Sequence, residues 1–136
     1  PNGPNGALNA WPWTVNVNGI GTFFETKEEA VAATRKLIDE GQRSLDIGCM
    51  QINHHYHGGK FASVEALIDP RANVDYATQF LRDLKQREGS WTMAVARYHA
   101  GPHNNAAQKI YICRVVANMV ATGFGQWTPA AAHFCR

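Results

Sequence analysis

The residues best placed to do chemistry stand together in Ser44-Leu45-Asp46-Ile47-Gly48-Cys49-Met50-Gln51-Ile52-Asn53. Three polar side chains, Asp46, Gln51 and Asn53, are interleaved with apolar ones that would anchor the segment. Held in that way, the polar groups would project from a rigid wall, as a cleft for a polar ligand requires. Gly48 would allow close backbone approach. His54-His55-Tyr56-His57 follows and invites a metal reading. No Cys or carboxylate is paired with it at ligand spacing and Gly58-Gly59 comes next, so a solvated polar loop is the expectation, with no metal site. Trp11 and Trp13 could stack on sugars, though core packing is the commoner fate of a Trp.

The elements that must position these residues are mostly helical. Trp13 to Phe24 alternates in part around Asn18-Gly19, a type I′ turn signal, which predicts a small β-hairpin. Thr26 with Glu29 forms a capping box, and Val31, Thr34, Leu37 and Ile38 follow at helical spacing up to a stop at Gly41. Asp69-Pro70 starts a second helix with Val74, Ala77, Phe80, Leu81 and Leu84 on its buried face, ended by Gly89. Ser90 caps a third helix carrying Trp91, Ala94, Val95 and Tyr98, broken by Gly101-Pro102. A fourth covers about residues 104–122, with Ile112, Val115, Val116, Met119 and Val120 on one stripe. Residues 1–12, rich in Pro, Gly and Asn, read as a loop. The fold class is mainly α with a minor hairpin, in a single domain over residues 1–136.

Composition narrows the function classes. At 45% hydrophobic and 18% charged residues the chain is an ordinary globular one. A net charge of +2 is too small to argue for nucleic acid, and no apolar run reaches the length of a membrane span. Of the three cysteines, Cys113 and Cys135 make the better couple, because a bridge there would pin the tail. It would contribute roughly 3 kcal/mol and imply an oxidising compartment such as the periplasm. The alternative is three reduced, buried cysteines.

The segment 44–53 resembles the Gly-Leu-Met-Gln-Ile motif of the soluble lytic transglycosylases. It also resembles the Ser-x-Asp-x-Gly-x-x-Gln-Ile-Asn segment of animal-type lysozymes, in which Ser44, Asp46, Gly48, Gln51, Ile52 and Asn53 all agree. Ala96-Arg97-Tyr98-His99-Ala100-Gly101 is similar to the transglycosylase Ala-Tyr-Asn-Ala-Gly motif, with His99 in place of Asn. Tyr111-Ile112-Cys113-Arg114-Val115 resembles the family's Tyr-x-x-x-Val segment, and Asp69-Pro70-x-x-Asn73-Val74 its Asp-Pro-x-x-Asn helix start. The four motifs occur in the family's order over about residues 44–115. The Trp11–Thr14 hairpin segment and the helix after it look like an insertion carried by one subgroup.

The resemblance implies a lysozyme-like helical domain and cleavage of peptidoglycan between N-acetylmuramic acid and N-acetylglucosamine, with no cofactor. A protonated Glu donates to the glycosidic oxygen, and the sugar's own 6-hydroxyl then closes an anhydro ring. It implies that Tyr98 orients that Glu and that Asp46 supports the developing cation. Met50, Gln51, Asn53 and His99 would contact the glycan, with residues 44–53 and 90–101 forming two facing sides of one groove. The family's Glu lies in a Glu-Ser pair upstream of the loop in which this sequence starts. The donor is therefore expected before Pro1, outside the 136 residues. Glu28 and Glu29, 18 and 17 residues before Asp46, have the spacing of lysozyme's two carboxylates but sit where helix capping is the simpler account. Glu25 is slightly better placed. The expected partner is the peptidoglycan glycan strand, in the periplasm or another extracytoplasmic space. A lysozyme-type hydrolase is a close variant. The non-enzymatic alternative is a glycan-binding or structural piece of an envelope-spanning machine.

Overall fold

Asn18 and Gly19 take φ of 53° and 89°, both in the left-handed region, and close a hairpin between β1 (Thr14–Val17) and β2 (Ile20–Phe23). This is the I′ geometry that Asn-Gly favours. The computed structural model describes residues 9–100 and 105–136. Residues 1–8 of the loop expected at 1–12, and the break expected at Gly101-Pro102, lie outside the described residues. Two compact units divide the chain, Pro1–Thr78 and Gln79–Arg136.

In the first unit the hairpin extends into a four-stranded antiparallel sheet, ordered β2-β1-β3-β4, with β3 at Leu45–Ile47 and β4 at Ile52–Asn53. Register pairs Val15 with Ile47 and Ile47 with Ile52, so one face of the sheet is apolar and buried. Against it stand α1 (Lys27–Asp39), α3 (Val64–Ile68) and the start of α4 (Pro70–Glu88). Ala30, Val31, Leu45, Leu67, Ile68 and Ala77 are buried. Thr26 caps α1 by accepting from the Glu29 amide at 3.2 Å. The box is half-formed, because the Glu29 carboxylate reaches the Glu25 amide instead of returning to Thr26. An Arg35–Glu65 ion pair joins α1 to α3. Gly41, with φ of 86°, ends α1 as expected.

The expected solvated loop at His54–Gly59 is instead helical. α2 (His54–His57) runs into a 3-10 turn at Gly58–Lys60. Asn53 explains it, since its side chain accepts the Tyr56 amide at 3.1 Å and caps the turn.

In the second unit α5 (Trp91–Ala100) packs on α6 (Asn105–Ala121), and α7 (Pro129–Phe134) follows. Ser90 caps α5 through the Met93 amide. A disulfide between Cys113 and Cys135 ties α6 to the end of α7. Two apolar expectations are corrected. Val74 is 39% exposed, because the inward position of that turn is taken by Asn73, which is fully buried. Met119 is 48% exposed, at the end of an α6 whose apolar residues spread around the helix.

Candidate active site

Leu45 and Ile47 point into the core, so Asp46 between them must face the other side of the sheet. Its cross-strand partners are Asn16 on β1 and Asn53 on β4. A row of one carboxylate and two carboxamides therefore crosses three strands. Asn53 Nδ2 donates to Asp46 Oδ1 at 3.2 Å, while Asn53 Oδ1 caps α2. Asn16 Oδ1 accepts from the Gly19 amide at 2.9 Å and braces the hairpin turn. Both carboxamides are thus fixed in orientation, and Asp46 is half-buried beside them.

Between β3 and β4 the chain turns at Gly48–Gln51. Gly48 has φ of 84° and Gln51 has φ of 50°. For a residue with a side chain the left-handed region costs on the order of 1 kcal/mol, so Gln51 must be held there. The Gln51 amide donates to Gly48 O at 3.1 Å, and Gln51 Nε2 donates to the same oxygen at 3.0 Å. Asn73 on α4 closes the arrangement. Its Nδ2 donates to Ile47 O at 3.0 Å and Leu67 O at 2.9 Å, and its Oδ1 accepts the Met50 amide at 2.8 Å. The close approach expected at Gly48 is made by this side chain, since a Cβ on Gly48 would lie 2.4 Å from Asn73 Nδ2. Asp69 caps α4 through the Ala72 amide at 3.1 Å and so fixes the height of Asn73.

Asp46, Met50, Gln51 and Asn53 are thus brought together in the first unit. Tyr98 and His99 are neighbours on α5 in the second. Tyr98 is half-buried, its ring 5.7 Å from that of Phe80. His99 is exposed and stacks flat on Tyr111, with centroids 4.0 Å apart and planes 8° apart. Burial pushes the Tyr111 hydroxyl above its usual range, so it stays protonated beneath the imidazole.

The remaining candidates have local roles. Trp11 donates Nε1–H to Phe24 O at 2.6 Å and closes the base of the hairpin, and Trp13 is half-buried. Glu25, Glu28 and Glu29 are all exposed. A proton donor of the glycosidase kind needs an apolar, desolvated setting. Glu65 pairs with Arg35, Glu40 with Lys36 and Glu88 with Arg97. His57 Nδ1 lies 2.8 Å from Tyr76 Oη, and burial, aided by Lys60, holds its imidazole below the usual histidine range. Burial likewise pushes the Cys49 thiol up. Among the described residues no group of three or more His, Cys, Asp or Glu is arranged to hold a metal ion, and no helix is long and apolar enough to cross a membrane.

Sequence reasoning found the segment 44–53 but not its turn, gave Asn73 no role beyond its place in a motif, and gave Asn16 none. The available signal for Asn73 was a carboxamide in line with Ala77 and Leu84 on the buried stripe of a helix, where an apolar residue belongs. The signal for Asn16 was its register opposite Asp46, which the sequence does not display.

The profile of the transglycosylase SLT domain matches residues 26–111, more than half of the chain. The chain belongs to that family, whose members are lysozyme-like domains of lytic-transglycosylase type. No curated protein and no solved structure matches it.

Proposed function

We propose that the chain is the glycan-handling part of a peptidoglycan lytic transglycosylase. It acts on the β-1,4 bond between N-acetylmuramic acid and N-acetylglucosamine and leaves a 1,6-anhydro end. The observation that carries this reading is the fixed polar surface of Asp46, Asn53 and the Met50–Gln51 turn, inside the span matched by the family. Rigidly held carboxamide and carboxylate groups suit the hydroxyl and acetamido groups of a sugar. Tyr98 and His99 also contact the glycan in this reading.

The chemistry needs one proton donor. A protonated Glu gives its proton to the glycosidic oxygen as the bond to the sugar's C1 breaks. The resulting carboxylate takes the proton of the 6-hydroxyl, whose oxygen bonds to C1. No water is consumed. Asp46 supports the positive charge on the sugar, and Tyr98 orients the Glu. The exposure or ion pairing of the chain's own glutamates supports a donor supplied from outside these 136 residues. The Cys113–Cys135 disulfide supports an extracytoplasmic setting, where such bonds persist.

The same feature of the glutamates favours a second reading, a glycan-binding domain without catalysis in an envelope-spanning assembly. Incubation of the full-length protein with purified peptidoglycan, followed by mass spectrometry, separates the readings. Anhydro-ended fragments support the transglycosylase. Fragments heavier by one water indicate a lysozyme-type hydrolase. Sedimentation with peptidoglycan and no soluble fragment indicates the binder.

A further inference from the structure

We infer that Asn73 is a positioning residue for glycan binding: from α4 it fixes the turn Gly48–Gln51 in the one shape that presents Met50 and Gln51 to the ligand. This rests on the glycan-binding reading above.

The turn is irregular backbone between two very short strands, so no ladder can set its conformation. Three backbone groups of the turn and its surroundings meet at one side chain, namely Ile47 O, Leu67 O and the Met50 amide. One side chain satisfies all three. Only one orientation of the carboxamide does so, with both hydrogens on carbonyls and the oxygen on the amide, so the flip state is fixed by chemistry. The residue is fully buried, hence its reach to a glycan is indirect. Gly48 matches it from the other side, because any Cβ there would displace the amide. Gln51, immediately beyond the clamped Met50 amide, is the non-glycine residue held at φ of 50°. A strained conformation at a ligand-facing residue, enforced from a separate element, is the arrangement expected where geometry serves binding.

The test uses the full chain, wild type and Asn73→Ala, with an N-acetylglucosamine tetrasaccharide as the probe. Amide chemical shifts, the thermal midpoint and the affinity are measured well below that midpoint. The expected result is a folded Asn73→Ala protein whose shifts change at residues 48–51 and stay put in α1, with affinity lower by about tenfold to a hundredfold. A merely structural residue would lower the midpoint and leave the folded protein's affinity within about twofold of wild type; that result overturns the inference. Hydrogen exchange on the wild type covers the case of a variant that does not fold. The Met50 amide is expected to exchange as slowly as the paired amides of β3, and fast exchange there overturns the clamp. A wild type that does not bind the probe removes the glycan reading and this role together. A wild type that binds, with Asn73→Ala showing unmoved turn shifts, removes the role of Asn73 alone.

Discussion

The two units hold their candidate site residues by different physical means. In the first, directional hydrogen bonds from Asn16, Asn53 and Asn73 fix each polar group over a dense apolar floor. Among the described residues, nine of the twelve buried hydrophobic ones, Val15, Leu45, Ile47 and Ile52 included, belong to this unit. In the second, rings place the candidates: Phe80 beside Tyr98, and Tyr111 under His99. Among its described residues the buried hydrophobic ones are Leu84, Ala94 and Ala96, and Ile110, Phe124, Trp127 and Phe134 stand exposed. A covalent staple does part of the work that core burial does in the first unit. Hydrogen-bonded geometry tolerates little change of residue type, whereas stacked rings tolerate replacement by another ring.

The contrast can be broken at its strongest point first. Ile47→Ala removes a fully buried side chain from the floor beneath the polar row and is expected to cost about 2–5 kcal/mol, read by denaturant unfolding. Next, reducing the Cys113–Cys135 bond, or Cys113→Ser, is expected to cost roughly 3 kcal/mol on the chain-entropy account. Helicity should be lost around α7 while amide shifts of the sheet stay unchanged. Equal loss in both units would show that the staple supports the whole chain. Thr26→Ala removes the cap of α1 and should cost about 1 kcal/mol.

The smallest effect is a pH dependence confined to the first unit. The folded state resists a proton on His57 that the unfolded chain accepts. The contribution is therefore full above about pH 6.5 and is lost as pH falls through the lower folded value. His57→Gln should flatten that part of the stability profile, measured by urea unfolding between about pH 5 and 7. A profile identical to wild type would assign the slope elsewhere.

The sequence displayed the helices clearly, because α1 and α4 are long enough to show a period and the helices are bounded by Thr26, Pro70 and Gly residues. It displayed the hairpin through Asn18-Gly19. β3 and β4 were not legible as strands, since three and two residues carry no alternation. α2 was hidden for the same reason, although its cap, Asn53, was in view and had been assigned to the ligand. The polar residues of the candidate site could be named from the motif at 44–53. What fixes them could not, because Asn73 acts on Ile47 and Met50 from more than twenty residues away. Its position inside a helical apolar stripe is accounted for by the two carbonyls and the amide that it meets there.

The central claim is that the fixed polar surface of the first unit is a glycan-binding surface. Titrating the isotope-labelled full chain with a soluble N-acetylglucosamine tetrasaccharide, while following amide shifts, tests it directly. The account predicts that the amides of residues 46–53 move together along one saturation curve. Amides of residues 46–53 that stay unmoved to the end of the titration would contradict it.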